Sequence, residues 1–174
     1  DYPPGKGLVL ASADGGATWT RQRLPAGLVP YRAAFSDASH GWLIAEGAMN
    51  EYHVLATADG GRQWRLSYSA PSGIRLSGVA AAGPHRCWVV GYGGHPQTGF
   101  AARTTDGGRQ WTPEASVTPK GLLAVSFPDV RNGWAVGYDG TVIATTDGGA
   151  TWNAQNAGGS YQLQQVSFSD LQHG

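Results

Sequence analysis

The strongest constraint on this chain is a short acidic turn that recurs four times. It reads Ser12-Ala-Asp14-Gly-Gly-Ala-Thr18-Trp19, Thr57-Ala-Asp59-Gly-Gly-Arg-Gln63-Trp64, Thr104-Thr-Asp106-Gly-Gly-Arg-Gln110-Trp111 and Thr145-Thr-Asp147-Gly-Gly-Ala-Thr151-Trp152, with the aspartates 45, 47 and 41 residues apart. A second element lies between these turns: Phe35-Ser-Asp37 then Gly41-Trp42, Phe127-Pro-Asp129 then Gly133-Trp134, and Phe168-Ser-Asp170 then Gly174. In one unit it is degraded to Ala81-Ala-Gly83 then Cys87-Trp88. All seven tryptophans fall on these two repeated positions. A period of about 40–50 residues with several short strands per unit is the signature of a propeller blade.

Residues 122–155 show one unit most clearly. An apolar stretch, Leu122 to Phe127, is followed by a turn and by Trp134-Ala-Val136-Gly137. Tyr138-Asp139-Gly140 is an Asp-Gly hairpin turn, and Thr141 to Thr145 is rich in β-branched residues. Asp147-Gly-Gly149 turns again before a fourth strand begins at Thr151-Trp152-Asn153. Four strands in an antiparallel meander follow, with minimal helix, since Gly and Pro interrupt every long window. The expected fold is an all-β propeller of four-stranded antiparallel blades, a partial segment of about four blades from a larger ring. The expected divisions are 1–27 for the end of a blade, then whole blades at 28–70, 71–116 and 117–158, and the first strand of the next at 159–174. Closure by pairing of two copies is the rival arrangement.

Composition removes several function classes. Twelve basic and twelve acidic residues give zero formal charge, which leaves nothing to hold a nucleic-acid backbone. Seven Trp and seven Tyr are too many for a disordered chain. No apolar run approaches the roughly 20 residues of a membrane-spanning helix. Cys87 is the one cysteine, so no intrachain disulfide forms. Neither it nor the five histidines have a metal-binding spacing; His40, His85 and His173 fall in or near one repeated turn. No metal and no cofactor are expected.

The Ser/Thr-x-Asp-Gly-Gly-x-Thr-Trp turns resemble the Asp-box, or bacterial neuraminidase repeat. Together with Phe-x-Asp…Gly-Trp-x-Val-Gly they resemble the photosystem II stability/assembly factor family of seven-bladed propellers and its bacterial relatives. The resemblance runs from Leu8 to Gly174. It implies a non-catalytic, extracytoplasmic propeller, in periplasm or thylakoid lumen, that holds a protein partner belonging to a membrane (photosynthetic) complex. That family often carries Arg early in the first strand of a blade; the matching positions here are Tyr31, Ser77, Leu123 and Gln164, with Arg32 and Arg75 nearby.

The aspartates Asp14, Asp59, Asp106 and Asp147 and the indoles Trp19, Trp64, Trp111 and Trp152 read as structural. A carboxylate heading a tight turn accepts backbone N–H bonds, and two glycines supply the backbone angles that other residues avoid. The Trp then covers the turn and packs between sheets. Gln63 and Gln110 are tolerated variants of the Thr. In a meander the connections alternate between the two faces of the ring. The Asp-box face carries Arg62, Arg109, Arg86 and Arg131. The opposite face carries Tyr31, Arg32, Glu46, Tyr52, Arg75, Tyr92, His95 and Tyr138, on loops that include the lengthened hairpins Gly47–Glu51 and Gly93–Thr98. Tyr and Arg are favoured contact residues, so Tyr31, Arg32, Glu46, Tyr52, Arg75, Tyr92, His95 and Tyr138, with Arg62 and Arg109 on the other face, are the candidate partner-binding residues.

The alternative is a fragment of an Asp-box glycoside hydrolase, of sialidase or xyloglucanase type, or a carbohydrate-binding module. Hydrolysis needs two carboxylates facing each other across a cleft. The aspartates outside repeat turns are Asp1 and Asp139, and the glutamates are Glu46, Glu51 and Glu114. No catalytic residue is assigned.

Overall fold

The computed structural model describes residues 7–94 and 97–174, the side chains of residues 115 and 116 excepted. Fourteen strands are described. β1 (Val9–Ala11) and β2 (Thr20–Gln22) form a two-stranded sheet. β3 (Val29–Phe35), β4 (Gly41–Glu46), β5 (Tyr52–Thr57) and β6 (Arg65–Ser69) form the first four-stranded sheet. The second comprises β7 (Ile74–Ala81), β8 (Cys87–Gly93), β9 (Thr98–Thr104) and β10 (Thr112–Thr118). The third comprises β11 (Leu122–Ser126), β12 (Gly133–Gly137), β13 (Val142–Thr145) and β14 (Asn153–Gln155). Every pairing is antiparallel and every sheet runs in chain order. Each four-stranded sheet is one propeller blade, with β3, β7 and β11 innermost and β7 packed against both of the others.

Strand alternation assigns each side chain to one of two seams. In β4, Trp42 and Ile44 join Val54, Leu76, Val89 and Phe100 in the core between the first and second four-stranded blades. Leu43 and Ala45 of the same strand face the other way and join Leu55, Trp64 and Val9. Trp88 and Val90 turn toward Leu122, Val125, Ala135 and Ile143. Both faces of a middle strand are therefore buried, so these strands read as continuous apolar runs rather than alternating ones.

Two short 3-10 turns, Ala48–Asn50 and Tyr138–Gly140, are the only helical elements described. Asp139 (φ 52°) and Gly140 (φ 69°) both lie in the left-handed region, as a type I′ hairpin requires. The 159–174 segment differs from its expected form as a strand. It makes isolated bonds, from Leu163 N to the Gly137 carbonyl and from Phe168 N to Ser126 Oγ. Phe168 nonetheless stacks on Trp134 at 3.8 Å.

Candidate functional site

The repeated carboxylates are consumed by their own turns. In the second Asp-box the Thr57 hydroxyl donates to Asp59 Oδ1 at 2.8 Å and accepts from Gly61 N at 2.9 Å, while Gln63 N donates to Asp59 Oδ1 at 2.9 Å. Gly60 and Gly61 supply φ values of 73° and 87°. The same bonds recur around Asp14, Asp106 and Asp147. Where the box keeps its Thr, a further hydroxyl bond is added: Thr18 to Asp14 and Thr151 to Asp147, each at 2.6 Å. Gln63 and Gln110 make no such bond. The extra donor holds the Asp14 carboxyl down at about 2 and Asp147 lower still, whereas Asp59 and Asp106 are lowered chiefly by the backbone N–H of the residue four positions on.

A second acidic turn repeats alongside. Asp37 Oδ1 accepts from Ser39 N and His40 N, Asp129 Oδ1 from Arg131 N and Asn132 N, and Asp170 Oδ1 from Gln172 N and His173 N, all at 2.7–2.9 Å. His40 and His173 add an imidazole to the same carboxylate. The two turns of a blade are clipped together by Gly60 N to the Ser39 carbonyl, Gly107 N to His85 and Gly148 N to Arg131. This places both turn types on one face of the ring.

The box indoles behave unequally. Trp64 is buried, and Trp111 and Trp152 are partly buried between sheets. Trp19 is 61% exposed. Cys87 is fully buried, and burial drives its thiol pKa well above the ordinary range.

On the opposite face six candidates are drawn into one line across three blades. Glu46 pairs with Tyr52 across the β4–β5 ladder, and its carboxyl adds to the upward push that burial gives the Tyr52 phenol. The Arg75 guanidinium lies over the Tyr52 ring, Cζ 5.6 Å from the centroid, bridging two blades. Arg75 pairs in turn with Tyr92 across β7–β8, and Tyr92 meets Tyr138 of the next blade edge-on at 5.5 Å. Gly121 makes that contact possible, since a Cβ there would sit 2.7 Å from Tyr92 Cβ and 3.0 Å from the Tyr138 ring. Tyr31 joins the line edge-on to Tyr52 at 6.2 Å.

The phenols respond to this crowding. Burial raises the pKa of Tyr31 and Tyr52; the adjoining Tyr92 phenol, and then burial, raise that of Tyr138. Burial opposes charge on Arg75, but Tyr92, Tyr52, Tyr31 and Glu46 outweigh it, and the guanidinium is held more firmly charged than usual. The result is one fixed cation framed by flat, half-polar rings, able to stack on a chain and hydrogen-bond its carbonyls or carboxylates.

The bulge that aims Tyr31 is a repeated feature invisible in composition. The β3–β4 register skips between Pro30 and Arg32, β7–β8 between Leu76 and Gly78, and β11–β12 between Leu122 and Ala124. The extra residues are Tyr31, Ser77 and Leu123, three of the positions where the resembling family often carries Arg. A bulge re-aims a side chain. Here it turns Tyr31 outward, 42% exposed, while Ser77 is buried and donates to the Leu122 carbonyl at 2.6 Å. Arg32 lies at the Tyr31 end of the line, apart from Arg75, beside Val79, Ala124 and Val166 in a cleft of about 460 Å³ among the inner strands. Arg62 and Arg109 are on the Asp-box face, at two different seams. His95 lies outside the described residues.

A family model, photosynthesis system II assembly factor YCF48, matches residues 11–115, more than half of the chain. The photosystem II assembly lipoprotein Ycf48 of Synechococcus sp. (strain CC9902) is 31% identical over 86 residues, covering 48% of this chain and 23% of that protein. A solved structure described as YCF48 bound to D1 peptide superposes with a TM-score of 0.60 at 23% identity, covering 88% of this chain and 44% of that one. YCF48 from Cyanidioschyzon merolae gives 0.57 at 27% identity, covering 79% and 43%. The GH74 xyloglucanase from Xanthomonas campestris gives 0.59 at 17% identity, covering 91% and 26%, a likeness of fold alone. The chain spans less than half the length of each of these proteins. It belongs to the photosynthesis system II assembly factor YCF48 family.

Proposed function

We propose that this chain is a non-catalytic propeller segment that binds a protein partner, an extended segment of a membrane-protein complex of the photosystem II type, on the face carrying the tyrosine–arginine line. The observation that carries this reading is Arg75, held over Tyr52 and flanked by Tyr92 across three blades. Rigid aromatic rings around a preorganised guanidinium are the composition of interface hot spots. Family membership supports the partner class, and a relative described as bound to D1 peptide supports an extended polypeptide as the ligand. The lipoprotein relative supports an extracytoplasmic setting. No described helix is long and apolar enough to cross a membrane.

Carboxylate chemistry argues against hydrolysis. Asp139 is paired with Lys120 at 2.7 Å and Glu114 with Arg103 at 3.3 Å, and the repeat aspartates are bonded into their turns. The free pair that glycosidic cleavage demands is not assembled from these groups.

The test is calorimetric titration of the chain with overlapping peptides of the D1 protein. At least one peptide is expected to bind, and Arg75→Ala is expected to weaken it about tenfold or more, the scale of a lost charge-assisted contact. Absence of binding by every peptide, or binding indifferent to Arg75→Ala, would overturn the reading.

A further inference from the structure

The blade repeat is broken at one seam, and the break opens a cleft. At the seam between the last two four-stranded blades, Trp88 stacks on Phe127 at 3.7 Å and 7°, and its Nε1 donates to the Gly148 carbonyl at 2.8 Å. Trp134 stacks on Phe168 in the same way. The matching pair at the preceding seam would be Trp42 and residue 81, but residue 81 is alanine and the Asp of that turn is replaced by Gly83. No ring stacks on Trp42 among the described residues, and its buried Nε1 has no partner. The Gly107 carbonyl there is taken instead by Arg65 Nη2 at 2.6 Å.

The resulting cleft, about 340 Å³ on the Asp-box face, is lined by Arg65, Arg109, His40 and His85 around the Trp42 edge. The His40 and His85 rings meet edge-on at 6.4 Å across the seam. Two acids are close, and both are occupied. Asp106 Oδ1 accepts from the Thr104 hydroxyl and from Arg109 N and Gln110 N. Asp37 is bound to His40 at 3.0 Å. The Arg109 guanidinium makes no hydrogen bond or ion pair with a described residue, although its charge acts on the neighbouring Asp106 carboxyl, and Arg65 spends one of its five N–H donors on Gly107.

The next seam lacks this chemistry. Thr112 and Ala150 stand where Arg65 and Arg109 do. Arg86 and Arg131, in the places of His40 and His85, are turned onto the Val130 and Thr146 carbonyls.

We propose that the cleft at the degenerate seam binds an oxyanion, a carboxylate or phosphate group, between Arg65 and Arg109. Guanidinium forks match planar or tetrahedral oxyanions bidentately. The site is on the opposite face from the tyrosine–arginine line and stands independently of it.

The experiment is an NMR titration of the full chain with inorganic phosphate and, separately, with a hexaglutamate peptide. Saturable shifts are expected at residues 40, 65, 85 and 109 with at least one probe, unchanged in Arg75→Ala. Tighter binding of phosphate identifies a free-anion site; tighter binding of hexaglutamate identifies an acidic segment of a partner. Arg109→Ser is expected to weaken binding about tenfold or more. The double variant Ala81→Phe/Cys87→Gly, which restores the repeat, is expected to abolish it. Should the double variant not fold, Arg109→Ser decides alone. Absence of saturable shifts at these residues with either probe, or native-like affinity in Arg109→Ser, would overturn the proposal.

Discussion

Ala81 lies opposite Cys87 in the β7–β8 ladder, at the position where the other blades set a phenylalanine against a glycine. The exchange is a compensation of volume. A Cβ added at Gly41 would meet the Phe35 ring at 2.6 Å, and one at Gly133 would meet Phe127 at 2.4 Å. Only where Phe has become Ala is there room for the larger Cys87, which is fully buried.

Reversing one member alone should therefore cost more than reversing both. Ala81→Phe overpacks the site, at about 1–3 kcal/mol, and Cys87→Gly leaves a small void in a strand. The pair is expected to recover a coupling of about 1–3 kcal/mol. Urea unfolding of the four proteins in the cycle measures it; strict additivity would refute the compensation.

The indoles of two equivalent positions should respond differently to truncation. Trp88→Phe removes the donor to the Gly148 carbonyl and leaves a buried acceptor unpaired, which adds about 1–3 kcal/mol to the lost packing. Trp42→Phe deletes an Nε1–H that has no partner, so it forfeits packing alone. Trp88→Phe is expected to be the more destabilising by about 1 kcal/mol or more, read from the same unfolding curves.

The Asp-box carboxylates predict an acid limit to stability. Their pKa values are depressed in the folded chain. The unfolded chain therefore takes up protons first as pH falls. Their contribution is complete above an unfolded value of about 3.9 and is lost as pH drops through the folded values, about 2 for Asp14. Carbon-detected titration should place Asp14 and Asp147 below Asp59 and Asp106. Thr151→Val, which removes the 2.6 Å hydroxyl bond, should move Asp147 up toward the other two and leave Asp14 in place.

The blades were legible because each Asp-box is a local object: Thr57, Asp59, Gly61 and Gln63 satisfy one another within seven residues. Alternation between faces also follows from the meander, so the grouping of Tyr31, Tyr52, Arg75, Tyr92 and Tyr138 could be read before the geometry was known. Three things could not. The bulges at Tyr31, Ser77 and Leu123 are shifts of register between strands, and no periodicity within one strand reveals them. The separation of Arg32 from Arg75, and of Arg62 from Arg109, depends on which seam a side chain enters. The cleft beside Trp42 arises from packing between blades some forty residues apart. Its trace in the sequence was the degraded Ala81-Ala-Gly83 turn, which marks a missing ring without showing which indole loses its partner.

The central claim is that the tyrosine–arginine face receives an extended segment of the D1 type. Hydrogen–deuterium exchange of the chain with and without a bound D1 peptide tests it most directly. Protection is expected at residues 29–32, 46–52, 74–76, 92–93 and 137–139, with the Asp-box turns 57–64, 104–111 and 145–152 unchanged. Protection confined to those turns, with the first set exchanging as in the free chain, would contradict it.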